Sequence, residues 1–380
     1  MIFLDSAATT AVRREVLEAM WPALTEQFGN PSSTHDLGTT AARLLAEARG
    51  SIAAVLGARA SEIIFTSGGT ESDNLAIKGI ALANPRGRHL VTSAIEHPAV
   101  AEACEYLVRL HGFELSIVAV DHDGLVRSED VAAALRDDTT LVSVMYANNE
   151  IGSVQPIAEI ARLAHAVGAA MHTDAVQAAG WLDLTVSMLG IDALSISGHK
   201  VGAPKGVGAL WLRSGLPVEP LVHGGGQERG RRSGTENVAG AIGLATGLAI
   251  SDRGRVDAAG RVATLRDSFI ARVLDQVPGA ALTGSATSRL PASASFTFAG
   301  RSGEAIVLDL ERRGILCSSG SACAAGRDEP SSVLLALGMS PELAQTAVRF
   351  TLDASTTAEQ LALVADVLRD AVSGASPLSR

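Results

Sequence analysis

Through its first two thirds the chain alternates short β-rich runs with stretches whose apolar residues recur three and four apart. The strand-like runs are Glu62 to Thr66, Leu90 to Ser93, Glu114 to Val120, Thr140 to Met145, Ala170 to Thr173, Ala193 to Ser197 and Gly208 to Leu212. The helical ones include Thr39 to Leu56, Glu71 to Ala83, Pro98 to Gly112 and Ile157 to Val167. Such alternation predicts an α/β fold, a wound sheet with helices packed on its faces. After about Ala249 the texture changes. A charged helical stretch runs to Gln276, followed by a strand-like Ala294 to Phe298, a helix near Glu304 to Arg313 and a final helix from Thr357. A smaller α+β domain is expected there, because 380 residues, 47% of them hydrophobic, exceed what one core usually organises.

Composition narrows the function classes. A net charge of -10 and only 3% aromatic residues argue against a nucleic-acid binder, despite the local basic run of Arg229, Arg231 and Arg232. Three cysteines, Cys104, Cys317 and Cys323, suit neither a disulfide framework nor a zinc site, which makes a reducing compartment the simpler expectation. The start of the chain lacks the pattern of a secretory signal. The longest apolar stretch, Val238 to Ile250, is interrupted by Gly240, Gly243 and Gly247 and is too short to span a bilayer. The expectation is a cytoplasmic protein that binds no membrane.

In wound sheets ligands gather at the carboxyl ends of the strands, and there the polar residues of this chain concentrate. Ser67-Gly68-Gly69-Thr70 follows one strand and opens a helix, so its backbone N–H groups and the Thr70 hydroxyl can converge on a phosphate; a strand-turn-helix junction alone also explains it. Asp174 ends an apolar strand, where a carboxylate needs a cationic partner such as a pyridinium nitrogen. The alternative is that His172 and Asp174 form a metal pair or a buried polar contact, but no third ligand stands at suitable spacing. Lys200, in Ser197-Gly198-His199-Lys200, is a candidate to hold an aldehyde cofactor as a Schiff base, with Ser197 and His199 able to bind a phosphate. His97, before Pro98, is either a turn residue or an imidazole stacked on a flat ring and able to move protons. Asn148-Asn149-Glu150 follows another strand end, as a turn or as a source of an amide for a cofactor substituent or a substrate carboxylate. Cys323 lies among Ser318, Ser319, Gly320, Ser321, Ala322, Ala324, Ala325 and Gly326, surroundings unlike those of a packing cysteine, and it reads as a nucleophilic thiol that needs a base or a positive field. Cys104 and Cys317 read as structural. Arg349, alone in an apolar run, suits either a bidentate carboxylate or an internal salt bridge.

Taken in order, these motifs resemble the NifS/IscS-type cysteine desulfurases, members of the class V aminotransferases among the fold-type-I pyridoxal phosphate enzymes. The resemblance spans almost the whole chain. It runs from Leu4-Asp5-Ser6-Ala7-Ala8-Thr9-Thr10 and Phe28-Gly29-Asn30-Pro31 through the glycine turn, Glu96-His97, Asp174-Ala175-Val176-Gln177 and Ser197-Gly198-His199-Lys200. It continues through His223-Gly224-Gly225-Gly226, Arg232-Ser233-Gly234-Thr235 and the cysteine cassette to Val348-Arg349-Phe350.

The resemblance implies a homodimer in which Lys200 holds pyridoxal 5'-phosphate, Gly69, Thr70, Ser197 and His199 bind its phosphate, and Thr235 reaches the phosphate in the partner subunit's site. Asp174 then meets the pyridinium, Gln177 and Asn149 the ring-oxygen side, and His97 stacks on the ring. Arg349 with Asn149 takes the carboxylate of L-cysteine. Lys200 removes the α-proton, His97 moves protons, and the Cys323 thiolate takes the sulfur as a persulfide, leaving L-alanine. The sulfur passes on to an acceptor protein, an iron-sulfur scaffold or a tRNA-thiolation protein. The implied layout is an N-terminal segment over residues 1–15 packing with the small domain, a cofactor-binding domain over 16–250 and a small domain over 251–380. A selenocysteine lyase or an aminotransferase of the same fold is the competing activity, and a non-catalytic docking subunit the competing class.

Overall fold

The computed structural model describes residues 1–84, 86–319 and 329–374. The strands begin with β1 (Ile2–Phe3), β2 (Ile63–Thr66), β3 (His89–Ser93), β4 (Glu114–Val118), β5 (Thr139–Ser143), β6 (Ala170–Asp174), β7 (Ala193–Ser197) and β8 (Gly208–Leu212). From β2 to β8 they form one sheet in the order β2-β8-β7-β6-β5-β3-β4. There β8 runs antiparallel to β2 and β7, and the other pairs are parallel. Every residue of β2, β3, β5, β6, β7 and β8 is buried, whereas β4, at the edge, exposes Glu114 and Ile117. Strands covered on both faces carry no polar-out alternation, which is why they stand out as apolar runs in the sequence.

Side-chain alternation divides the sheet between two cores. Val91 and Val142 join Leu45, Ile52, Ile160 and Leu194 on one face. Leu90 and Leu141 join Leu75, Ile77, Val100 and Leu107 on the other. The helix that the sequence predicts as one piece over Glu71 to Ala83 is composite: α-helical over Gly69–Asn74, a π-turn over Leu75–Gly79, then α-helical over Ile80–Ala83. Next to that wide turn the Val218–Glu219 strap packs on Gly79, where the Glu219 N–H donates to the Gly79 carbonyl at 2.9 Å. A Cβ at Gly79 would fall 2.4 Å from Val218 Cγ2.

The apolar stretch at Val238 is a buried helix, Val238–Arg253, packed against the helices Arg14–Thr25 and Asp36–Leu56. It is apolar around its whole circumference, as a helix enclosed by others must be. Its glycines set how close the neighbours come: a Cβ at Gly243 would meet Met20 Sδ at 2.6 Å, and one at Gly247 the Val201 carbonyl oxygen at 2.8 Å. Among the described residues no helix is long and apolar enough to cross a membrane.

Beyond the helix Arg255–Gln276 lie β9 (Ala280–Leu282), β10 (Ser293–Phe298), β11 (Ile315–Leu316), β12 (Ser318–Ser319) and β13 (Val348–Thr351). An antiparallel sheet of order β12-β13-β10-β9 is covered by the helices Arg255–Gln276 and Ala358–Ser373. Phe269 meets Phe350 edge-on at 5.4 Å and Phe296 at 6.0 Å. Pairs of this kind contribute about 0.5–1.5 kcal/mol each beyond the area they bury. The chain start joins this second core: β1 pairs with β11, Leu4 is fully buried in it, and Asp5 bridges to Thr351. Residues 6–10 then cross to the large sheet, where the Thr10 N–H donates to the His199 carbonyl at 2.8 Å.

Candidate active site

A cleft of about 320 Å³ opens at the carboxyl ends of β2, β3, β5, β6 and β7, walled on the far side by residues 7–8 and by β13. Its lining includes Gly69, Thr70, His97, Asn149, Asp174, Gln177, Ser197, His199, Lys200 and Arg349. Of the site residues that the resemblance implies and the structure describes, Thr235 alone is not among them. Thr235 is exposed in the turn after Ser233, and Cys323 lies outside the described residues.

Asp174 is the last residue of β6 and is 7% exposed. Its Oδ1 accepts from the Val176 N–H at 2.8 Å. Burial raises its pKa, while His97 and Lys200 oppose the rise. Lys200 ends the single helical turn after β7, and its Nζ donates to the carbonyls of Ala7 and of Ala8, the latter at 2.7 Å. Gln177 Nε2 donates to the same Ala7 carbonyl at 3.0 Å. Backbone oxygens of the crossing segment therefore hold the amine at the mouth of the cleft.

His97 caps the helix Pro98–His111, with its Nδ1 accepting from the Ala99 N–H at 3.1 Å. Burial lowers its pKa, helped by Lys200 and resisted by Asp174. A neutral imidazole that accepts at Nδ1 carries its proton on Nε2. The turn reading and the functional reading of His97 thus describe different atoms of one ring. His199 Nδ1 lies 3.2 Å from Thr9 Oγ1. Burial and the cations Lys200 and Lys205 push its pKa down to about 4, so it too is neutral at neutral pH.

The glycine turn is a cradle with little room to spare. A Cβ on Gly69 would come within 2.8 Å of Val176 Cγ2, and Ser197 stands beside it. Glu71 fastens the turn by accepting from the Ser67 N–H at 2.8 Å and from Arg232 Nε at 2.8 Å. Arg232 is carried by the segment that follows Glu228 and Arg229, which hold left-handed backbone at φ 48° and 59°. Such backbone needs support from its surroundings. Here Arg49 grips the buried Glu228 carboxylate with both terminal nitrogens, at 2.6 and 2.7 Å.

Arg349, on β13, is 2% exposed. Its Nη2 donates to Asp5 Oδ1 at 2.7 Å and its Nη1 to the Asn149 carbonyl at 3.0 Å, while its buried Nε has no partner among the described residues. The internal salt bridge and the place in the cleft coexist. The register pairs Ser318 with Arg349, and Ser331 Oγ donates to the Glu150 carboxylate. Residues on both sides of the cysteine cassette are thus tied to the cleft wall. Glu150 is half-buried, and the loss of solvent around its carboxyl pushes its pKa up to about 6.

Sequence reasoning missed four contributors: Asp5, the Ala7 and Ala8 carbonyls, Glu96 and Asp73. Asp73 was legible in part, since it stands four residues after Gly69 and such spacing on a helix shares one face. Of the alternatives at His172, the structure shows the buried polar contact. His172 is bound by Ser143 Oγ at Nδ1 (2.9 Å) and Ser195 Oγ at Nε2 (3.0 Å), and the described residues hold no group of three candidate ligands.

Residues 2–364 match the family model described as Aminotransferase class-V. A protein of Dictyoglomus turgidum named cysteine desulfurase IscS is 48% identical over 97% of this chain and 93% of its own length. A namesake from Methanosarcina thermophila is 46% identical over 98% and 92%. Among solved structures, one titled NifS-like protein superposes with a TM-score of 0.92 at 36% identity, covering 98% of this chain and 99% of the other. Coverage of this extent takes in both sheets and every wall of the cleft, and the chain belongs to the class V aminotransferase family, with the fold-type-I architecture of its pyridoxal phosphate enzymes.

Proposed function

We propose that this protein is a pyridoxal-phosphate-dependent cysteine desulfurase, which converts L-cysteine to L-alanine and passes the sulfur through a Cys323 persulfide to an acceptor protein. The observation that carries the reading is the convergence of an amine, a buried carboxylate, an imidazole and a buried arginine on one cleft: Lys200, Asp174, His97 and Arg349. The nearly full-length likeness to proteins named cysteine desulfurase supports the substrate.

The residues present fit the cofactor. The cradle at Gly69 would be filled by any Cβ, the buried Asp174 faces the cleft with no ion pair to a guanidinium or ammonium among the described residues, and Lys200 lines the same cleft. Pyridoxal phosphate, when bound, supplies an aldehyde that an amine can hold and a ring that accepts electrons. Lys200 would hold it; Gly69, Thr70, Ser197 and His199 would bind its phosphate, with Thr235 reaching into the partner subunit's site. Asp174 would keep the ring nitrogen protonated, Asn149 and Gln177 would meet the ring-oxygen side, and His97 would stack on the ring. A neutral His199 suits a phosphate as a hydrogen-bond donor at Nε2.

In the reaction Arg349 orients the substrate carboxylate with the N–H groups that Asp5 and Asn149 leave over, and Lys200 Nζ removes the α-proton. The Cys323 thiolate attacks the sulfur of L-cysteine: an S–S bond forms, the C–S bond breaks, and the carbon fragment takes back the α-proton from Lys200 Nζ, takes up a second proton at its β-carbon and leaves as L-alanine. His97 moves that proton at Nε2. A homodimer is supported by the exposed Thr235 and by the apolar face that Leu17, Trp21 and Leu24 present on the helix Arg14–Thr25. A three-part layout, 1–15, 16–250 and 251–380, accords with the two cores and with the crossing of residues 6–10 between them. A reducing cytoplasm suits the unpaired Cys104 and Cys317.

The test is incubation of the purified protein with L-cysteine in the absence of reductant, followed by mass spectrometry of its peptides and assay of alanine. One added sulfur on the Cys323 peptide, with alanine formed in step, is the expected result. Alanine formed by a Cys323→Ala variant at the parental rate would sink the role of Cys323 and favour the lyase reading.

A further inference from the structure

Beneath the cleft lies a buried polar chain with no part in the scheme above. Asp73, 1% exposed, points into the cleft floor from the helix Gly69–Asn74. Its Oδ1 has no hydrogen-bond partner among the described residues and stands 3.7 Å from His172 Nε2. Ser195 on β7 neighbours Asp73 and, with its Oγ 3.0 Å from His172 Nε2, is the group through which the two can be joined. Ser143 on β5 closes the chain, 2.9 Å from His172 Nδ1. His172 is fully buried, and its pKa is driven down to about 3, so the ring is neutral and carries one N–H.

Two donor orders join Asp73, Ser195, His172 and Ser143 without a break. In one, Asp73 is a neutral acid whose O–H donates to Ser195, Ser195 donates to His172 Nε2, and His172 Nδ1–H donates to Ser143. In the other, Asp73 is a carboxylate and every donor reverses, which puts the imidazole proton on Nε2. The surroundings choose between them. The acidic groups facing Asp73 are Asp174 from β6 and Glu96 from the loop after β3, and the ring beside it is the neutral His172. From the helix Pro98–His111 and β8 the adjoining core offers Val100, Ala103, Leu210 and the neutral thiol of Cys104. A buried carboxylate with one oxygen unsatisfied and no cation to pair with is costly, whereas the acid has only a carbonyl-like oxygen left over. Two neighbouring carboxyls also resist joint ionisation.

We propose that Asp73 is a positioning residue: held as the neutral acid, it donates its proton through Ser195 to His172 and leaves Asp174 as the charged carboxylate in the cleft floor. The consequence for Asp174 rests on the pyridoxal phosphate reading; the proton order of the chain does not.

The experiment uses histidine labelled with ¹⁵N in the purified protein, with the His172 signals identified by their loss in His172→Asn. Parent, Asp73→Asn and Asp73→Ala are compared by long-range proton–nitrogen correlation at neutral pH, and by the pH midpoint of the bound cofactor's visible band. The parent is expected to show the proton of His172 on Nδ1. Asp73→Asn, whose amide can still donate to Ser195, keeps that tautomer and a midpoint within about 0.3 unit of the parent, whereas Asp73→Ala changes the tautomer populations and weakens cofactor retention about tenfold. An Nε2 proton in the parent would overturn the proposal. So would a midpoint lowered by about one unit or more in Asp73→Asn, because removing a real negative charge destabilises a cationic neighbour by that order. An Asp73→Ala protein identical to the parent in tautomer and retention would overturn it as well. A protein that takes up no cofactor counts against the cofactor reading alone, since the tautomer measurement still decides the chain.

Discussion

The two walls of the cleft are built on different principles. The floor consists of strand ends from the large sheet and the residues behind them, with Asp174, Glu96 and His172 buried in place by hydroxyl and backbone partners and Asp73 buried beside them on a helix. The opposite wall is made of chain that crosses between two cores: the Ala7 and Ala8 carbonyls on Lys200, and Asp5 on Arg349. The floor is a set of groups that cannot move and so can be tuned by burial. The far wall holds its cations through a few hydrogen bonds to oxygens that a ligand can replace. Fixed dipoles suit a cofactor that stays, and exchangeable contacts suit a substrate that comes and goes.

The difference can be probed from both sides. Lys200→Ala removes the group the two walls share, and turnover should fall by at least about a thousandfold with loss of the protein's colour; appreciable steady turnover would count against its role. Arg349→Lys keeps the charge but loses the fork held between Asp5 and Asn149. The KM for L-cysteine should rise about ten- to a hundredfold, more than kcat falls, and an unchanged KM would remove Arg349 from substrate binding.

Glu96 tests the floor through stability. Burial pushes its pKa up to about 8, above the ordinary 4.5, against hydrogen bonds from Ser93 and the Met145 N–H that favour the charged form. The folded state therefore binds a proton that the unfolded chain has lost between those values. The contribution is complete below about pH 4.5 and is lost as pH rises through about 8. Glu96→Gln, which cannot ionise, should flatten the fall of Tm between these limits, recovering about 1–2 kcal/mol at the alkaline end. Parallel pH profiles for parent and variant would show that Glu96 does not titrate in this range. The smallest effect is expected at the exchangeable wall: Asp5→Asn keeps a hydrogen-bond acceptor for Arg349, so the KM should shift only about two- to fivefold. A change as large as that of Arg349→Lys would mean that the Asp5 charge, not only its shape, is needed.

Much of this was legible in the sequence. The seven strand-like runs became the seven strands of the large sheet, with ends displaced by a residue or two, because strands buried on both faces have to be apolar throughout. Short elements escaped. β1, β9, β11 and β12 have two or three residues each, too few for a period to show. The helix Val238–Arg253 was hidden because enclosure on all sides erases the polar stripe by which helices are recognised. The π-turn at Leu75–Gly79 depends on a strap more than a hundred residues away, which local propensity does not carry.

At the site the division is equally physical. Residue identity was enough to nominate Lys200, Asp174, His97, Ser197 and Arg349, because an amine, a carboxylate or a lone arginine at a strand end has few inexpensive structural uses. The sequence by itself thus determined the sheet, the ends of its strands and the chemical types gathered there. Tertiary structure alone decided which carboxyls are buried side by side, which atom of His97 is engaged, and that Asp5 and the Ala7 and Ala8 carbonyls hold the two cations of the cleft. Those are matters of distance between residues far apart in the chain, and a buried charge takes its character from the groups around it rather than from its neighbours in sequence.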